Sequence, residues 1–195
     1  MPEGAGELPR VHKCQKEAQQ MGIEIQILDF LQKLRTPAGD MVIPLITKLG
    51  DKGIIWILLA AALLLIPKTR KTGAILTAAL CVDLVLCNGI LKNLFARIRP
   101  FDVNTSVQLL IPKPGDFSFP SGHTAASFTA AAALYFAGEK ELWKPVLALA
   151  VIIAFTRLYL YVHYPTDILG GMAVGTTAGY LGFWIVTKSG EKLRI

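Results

Sequence analysis

Three short stretches of this sequence hold side chains suited to gripping and transferring a phosphoryl group. The first, KNLFARIRP from Lys92 to Pro100, sets Lys92 and Arg99 seven residues apart, two turns along one face of a continuous helix. Pro100 disfavours helix at Arg99, so the helix is expected to end there. The second, FPSGHTAAS from Phe119 to Ser127, places Ser121 as an N-cap before an alanine-rich helix. The backbone N–H groups of Gly122, His123 and Thr124 then form a ready anion site, and Gly122 admits the anion close to the chain. In the third, TRLYLYVHYPTD from Thr156 to Asp167, Pro165 fits the first turn of a helix and His163 falls just before it. Asp167, one turn on, is placed to accept a hydrogen bond from one ring nitrogen of His163, leaving the other as a nucleophile.

Each stretch has an ordinary reading when taken alone. Lys92 and Arg99 suit a pair of cations snorkelling from a span end, and His123 suits an interfacial histidine. Arg157 near a span end is costly unless it snorkels or meets an anion. Together the stretches supply two histidines, three cations, a carboxylate and a helix N-terminus. Phosphoryl transfer needs little else, being mostly positioning and charge stabilisation around three equatorial oxygens.

The elements that must position these groups are membrane helices. Of 195 residues, 53% are hydrophobic and 17% charged, and the apolar residues come in blocks that need a hydrocarbon solvent. The expected fold is all-α: a polytopic helical bundle of about five spans behind an N-terminal amphipathic region. Residues 1–20 read as a polar, disordered extension without a signal sequence, and 21–53 as an interfacial region whose segment from Gly22 to Arg35 is amphipathic. The transmembrane core is 54–187, with spans at Ile54–Ile66, Gly73–Leu91, Ser121–Ala137, Trp143–Val162 and Pro165–Val186; a polar tail, 188–195, follows. Ile54–Ile66 has 13 residues, about 20 Å of helix, and must recruit its neighbours to cross. Counting crossings returns Arg157, His163 and Asp167 to the side of Lys92, Arg99 and His123.

Several features have packing explanations. Gly171, Gly175 and Gly179 form a four-residue repeat on one helical face, as close helix contact requires. Cys14, Cys81 and Cys87 have no metal or disulfide spacing and read as small core residues. Asp83 and Asn88 are secondary candidates inside a span, with Asn88 one turn before Lys92. The net charge of +6 lies between apolar blocks, where phosphate, headgroups and topology use it, and nucleic acid is a poor partner. No residue pattern sets an oligomeric state.

The three stretches resemble the signature of the type 2 phosphatidic acid phosphatase family, KxxxxxxRP, PSGH and SRxxxxxHxxxD. The first two match fully; in the third, Thr156 stands for serine and keeps the hydroxyl. The resemblance runs from about Gly50 to Val186. It implies that His163 forms a phosphohistidine, Asp167 orients it, and His123 protonates the leaving oxygen and then activates water. It also implies that Lys92, Arg99 and Arg157 hold the phosphate with Ser121 and the Gly122 amide, and that neither metal nor cofactor takes part. Many family members have six spans, one more than is legible here.

The expected activity is therefore hydrolysis of a lipid phosphate or pyrophosphate, with undecaprenyl pyrophosphate favoured over phosphatidylglycerol phosphate or phosphatidic acid. Lys113 is expected within reach of a second phosphate. A transporter would also explain intramembrane charge, but no internal repeat supports it. The related vanadium haloperoxidases share the motifs but are soluble. Lys68, Arg70, Lys71, Lys140, Lys144, Lys188, Lys192 and Arg194 fall on the side away from the motifs, and with the phosphate-binding cations discounted this is expected to place the site outside a bacterial cytoplasmic membrane.

Overall fold

The computed structural model describes residues 22–192, and the regular elements among the described residues are all helices, with no strand. Helix α1, residues 22–33, leads to α2 (Pro37–Leu49), α3 (Ile54–Leu65) and α4 (Arg70–Asp83). The α4 path continues through a π-helical stretch, Leu84–Leu91, into α5 (Lys92–Phe95). A short α6 (Pro100–Val103) and a loop precede α7 (Gly122–Ala137), α8 (Trp143–Tyr159) and α9 (Pro165–Lys192). The last helix thus runs through the start of the segment expected to be a tail.

Local chemistry accounts for the boundaries. Thr36 caps α2 by accepting from Gly39 N at 3.1 Å, with Pro37 in the first turn. Gly138, at φ 84°, closes α7 in the left-handed conformation that glycine adopts without strain. Among the described residues, two stretches are long and apolar enough to cross a membrane, Pro67–Val103 with 37 residues and Pro165–Ser189 with 25. The other three expected spans, α3, α7 and α8, have 12, 16 and 17 residues.

The packing centre is α9. A Cβ on Gly171 would lie 2.8 Å from Ser121 O, and one on Gly179 would lie 2.6 Å from Ala132 Cβ, so α9 meets α7 almost backbone to backbone. Gly182 makes the same approach to Ala79 of α4, where a Cβ would lie 2.5 Å from the backbone nitrogen. The glycine stripe is a packing device, as the small-residue rule anticipates. Trp56, Leu63, Ile75, Leu76, Leu134 and Ile153 fill the core around it. Cys87 is buried, whereas Cys81 is exposed, so the core reading holds for one of the two; Cys14 lies outside the described residues, as does the 1–20 extension.

Helix α1 is amphipathic in a reversed sense. Ile23, Ile27, Phe30 and Leu34 point outward, while Glu24 and Leu28 are buried against the protein. Gln32 donates to Tyr159 O at 2.9 Å, and Asp29 accepts from Tyr161 Oη at 2.7 Å. Met41, Leu45, Leu58, Leu84, Ile152 and Leu169 extend the exposed apolar surface over the other helices. A soluble protein does not present such a surface to water; this one faces lipid.

Candidate active site

Six of the eight residues singled out in the sequence line one cavity of about 970 Å³: Lys92, Arg99, Gly122, His123, Arg157 and His163. Asp167 and Ser121 stand behind it, both fully buried. Asp83 and Asn88 also line the cavity.

The two cations of the first stretch do not share a helix face. The chain leaves helix at Ala96, which takes a left-handed conformation at φ 42°, and Arg97 to Arg99 are non-helical. That break, rather than Pro100, ends the helix and swings Arg99 back toward Lys92. The two meet through Asp116, whose carboxylate bonds Lys92 Nζ and lies 2.6 Å from Arg99 Nη2. Burial alone would raise the Asp116 carboxyl, but Lys92 and Arg99 outweigh it and hold it at about 2. Arg157, on the last turn of α8, donates from Nη1 to Thr47 Oγ1 at 2.5 Å, and its buried Nε has no partner. An unused guanidinium donor beside two more cations is what an anion site needs.

Ser121 caps α7 in extended conformation, but weakly, accepting from Thr124 N at 3.5 Å and from Thr124 Oγ1 at 3.0 Å. Ser121 itself is fully buried, whereas Gly122 lines the cavity. A Cβ there would lie 3.4 Å from Asn88 Oδ1 and 3.7 Å from Lys92 Nζ, inside the cation cage. His123 follows on the same turn, with Nε2 at 2.9 Å from Asp51 Oδ1. Asp51 sits in the tight turn after α2, and Gly50 gives the ring room: a Cβ there would lie 2.8 Å from His123 Cδ2.

His163 is 1% exposed and points Nε2 toward Arg99, 3.3 Å from Nη1. Burial, opposed by the Asp167 carboxylate and reinforced by Arg99 and Arg157, pushes its imidazole down to about 3. That favours a neutral ring, whose Nε2 lone pair faces the Arg99 Nη1 donor. Nδ1 lies 3.4 Å from Asp167 Oδ2, near but beyond hydrogen-bond range, and has no other partner. The expected His163–Asp167 hydrogen bond is thus not closed, although the two groups are adjacent.

Several participants escaped sequence reasoning. Arg97 donates to Asp167 Oδ1 at 2.6 Å and to Glu24 Oε2 at 2.5 Å, while Ser118 Oγ and Tyr164 N donate to Asp167 Oδ2 at 2.5 and 2.9 Å. The lone arginine between Lys92 and Arg99 was the available signal for Arg97. Lys113 lies apart, paired with Asp102 at 2.5 Å and set over the Phe101 ring; Lys48 and Lys52 line the cavity instead.

From this polar end the cavity runs on between α3 and α4 past Ile57, Ala61, Leu64, Leu80 and Leu84. A cation cage with two histidines opening onto an apolar channel in a lipid-facing bundle defines a membrane lipid phosphatase. The chain belongs to the PAP2 superfamily, whose family model matches residues 71–191. It is 31% identical over 169 residues to an undecaprenyl-diphosphatase of Sulfolobus acidocaldarius, covering 86% of this chain and 80% of the relative. The Aquifex aeolicus LpxE crystal structure superposes with a TM-score of 0.70 at 28% identity, covering 80% of this chain and 92% of that one. The Bacillus subtilis PAP2-type phosphatidylglycerolphosphate phosphatase superposes with a TM-score of 0.69, also at 28% identity, covering 90% and 87%.

Proposed function

We propose that the protein hydrolyses a polyprenyl pyrophosphate, undecaprenyl pyrophosphate in particular, through a phosphohistidine on His163. Lys92, Arg99, Arg157 and the Gly122 amide hold the terminal phosphoryl group. His163 Nε2 attacks phosphorus in line, and the bond to the bridging oxygen breaks as His123 donates a proton to that oxygen. His123, now neutral, takes a proton from water; the water attacks the phosphohistidine and releases phosphate, returning His163 to its starting state. Asp167 stabilises the positive charge on the ring and sets its orientation.

The observation that carries this reading is the continuity of one cavity, cationic at one end and apolar between α3 and α4 at the other. A phosphate on a long hydrocarbon chain fits both ends, and each methylene kept out of water contributes roughly 0.8 kcal/mol. Pyrophosphate is preferred because a phosphate leaving group departs more easily than an alkoxide. Lys48 and Lys52, on the cavity wall beside Asp51, take the second phosphate in place of Lys113. The kinship with an undecaprenyl-diphosphatase supports the same choice.

Five helices, α3, α4 with its π-helical continuation, α7, α8 and α9, cross the bilayer in this proposal, and α1 and α2 lie at its surface. The site faces outward from the cytoplasmic membrane, since the basic residues of the opposite loops then lie inside.

The test is phosphate release from undecaprenyl pyrophosphate, phosphatidic acid and phosphatidylglycerol phosphate at matched surface concentration in one detergent. The pyrophosphate is expected to show the highest kcat/KM. Faster hydrolysis of phosphatidylglycerol phosphate would overturn the substrate; activity confined to water-soluble esters would overturn the lipid reading as well.

A further inference from the structure

We propose that Asp116 is a resident competitor for the phosphate site: its carboxylate occupies Lys92 and Arg99 in the free enzyme, yields to the substrate phosphoryl group, and returns to drive product phosphate out. The proposal rests on the reading that these two cations hold phosphate.

The asymmetry of the contact carries the argument. The side chains of Lys92 and Arg99 are 8% and 4% exposed, whereas that of Asp116 is 53% exposed. The cations are walled in and the carboxylate is not. The Asp116 backbone is separately fixed, its carbonyl accepting from Arg99 Nε at 2.8 Å. Two residues on, Ser118 N donates to Arg97 O at 2.9 Å, and Ser118 Oγ bonds Asp167. Leaving the cage therefore needs a side-chain rotation that gives up the two ion pairs with Lys92 and Arg99, with the loop in place.

The contact is also incomplete in a way that lets phosphate win. Asp116 engages two of the three cations and leaves the buried Arg157 Nε without a partner. A tetrahedral phosphoryl group has oxygens enough for all three and for the Gly122 amide. Product phosphate would nevertheless be held tightly by three buried cations, and a tethered anion that rebinds two of them lowers the barrier to its departure. Such a competitor weakens apparent phosphate affinity by the fraction of time that it fills the site.

The test is calorimetric binding of inorganic phosphate to detergent-purified wild type, Asp116→Ala and Arg99→Ala. Asp116→Ala is expected to bind phosphate roughly tenfold more tightly, the gain from removing an occupant present about nine-tenths of the time. With lipid substrate its kcat and KM are expected to fall together as release slows. Removing a nearby negative charge would tighten binding even without occupancy, so acetate separates the two. In Asp116→Ala, acetate is expected to compete with phosphate when compared with chloride at equal ionic strength, and to have no effect on wild type. Unchanged or weaker phosphate binding, a raised KM, or indifference to acetate would each overturn the proposal. Arg99→Ala binding phosphate as well as wild type would instead overturn the underlying phosphate-site reading. Asp116→Glu, which keeps the carboxylate, is expected to stay within about threefold of wild type by preserving the occupant.

Discussion

Arg97 Nη1 donates to Asp167 Oδ1 at 2.6 Å, and this contact fixes the carboxylate from the side opposite His163. The Asp167 side chain is fully buried and that of Arg97 is 21% exposed, so the pair is a largely desolvated one. Removing one partner of a buried pair typically costs about 3–5 kcal/mol, because the other charge is left uncompensated. Arg97→Ala is therefore expected to lower thermal stability in detergent and reduce kcat at least tenfold by letting Asp167 drift from His163, with KM less affected. Arg97→Lys is expected to recover part of both. Full activity in Arg97→Ala would remove Arg97 from any role in the site.

His163 supplies a pH prediction whose sign follows from its burial. Its imidazole titrates at about 3, so the ring stays neutral from pH 8 down to pH 5 and gains its proton only as pH falls further. In carbon-13-labelled histidine, the His163 signal, assigned as the one that His163→Gln erases, should show no shift change over that range. His163→Ala is expected to abolish turnover and the trapping of an acid-labile phosphoenzyme. A ring titrating near 6.5 would contradict the buried, neutral nucleophile.

His123 and Asp51 form a second couple, at 2.9 Å between Nε2 and Oδ1. As a general acid His123 should contribute about 10²–10⁴-fold, and His123→Ala is expected to lose that much in kcat. Asp51→Asn still accepts a hydrogen bond but no longer stabilises imidazolium, so a loss of roughly tenfold in kcat is expected with KM little changed. Steady-state kinetics on both variants decide it; a purely raised KM in Asp51→Asn would make Asp51 a binding residue instead.

Gly122→Ala separates folding from function. Alanine is favoured over glycine in a helix by about 1 kcal/mol, and the new methyl would make only ordinary contacts with Asn88 and Lys92. The melting temperature should hold or rise. The methyl would nonetheless stand inside the cation cage, so phosphate affinity and kcat/KM are expected to fall at least tenfold, by the crowding of one buried anion contact. A variant as active as wild type would move the phosphate away from the α7 N-terminus.

What the sequence disclosed depended on how far along the chain a relationship reached. Ser121 before Gly122, Pro165 after His163 and the Gly171–Gly179 stripe are local signals, and each corresponds to a helix start or a helix contact. The Lys92–Arg99 spacing misled because a left-handed residue at Ala96 breaks the helical count, and nothing in an alanine announces that conformation. Asp116 lies in a loop without periodicity, and its place depends on how Arg99 closes that loop. Glu24 gives no local signal, because its partner, Arg97, lies 73 residues away. Lys113 was misplaced for the same reason: charge type was visible, but the direction of its loop was not.

The reversed amphipathicity of α1 has a practical bearing on handling this protein. Its outward Ile23, Ile27 and Phe30 are held by lipid, while its inward Glu24 grips Arg97 and, through it, Asp167. Solubilisation changes the medium around those outward side chains, and any shift of α1 that results is expected to reach Asp167, beside the His163 ring, through two ion pairs. Detergent is thus a reaction variable here, on a par with pH or salt. Specific activities taken in different micelles report the seating of α1 as well as the chemistry of the site.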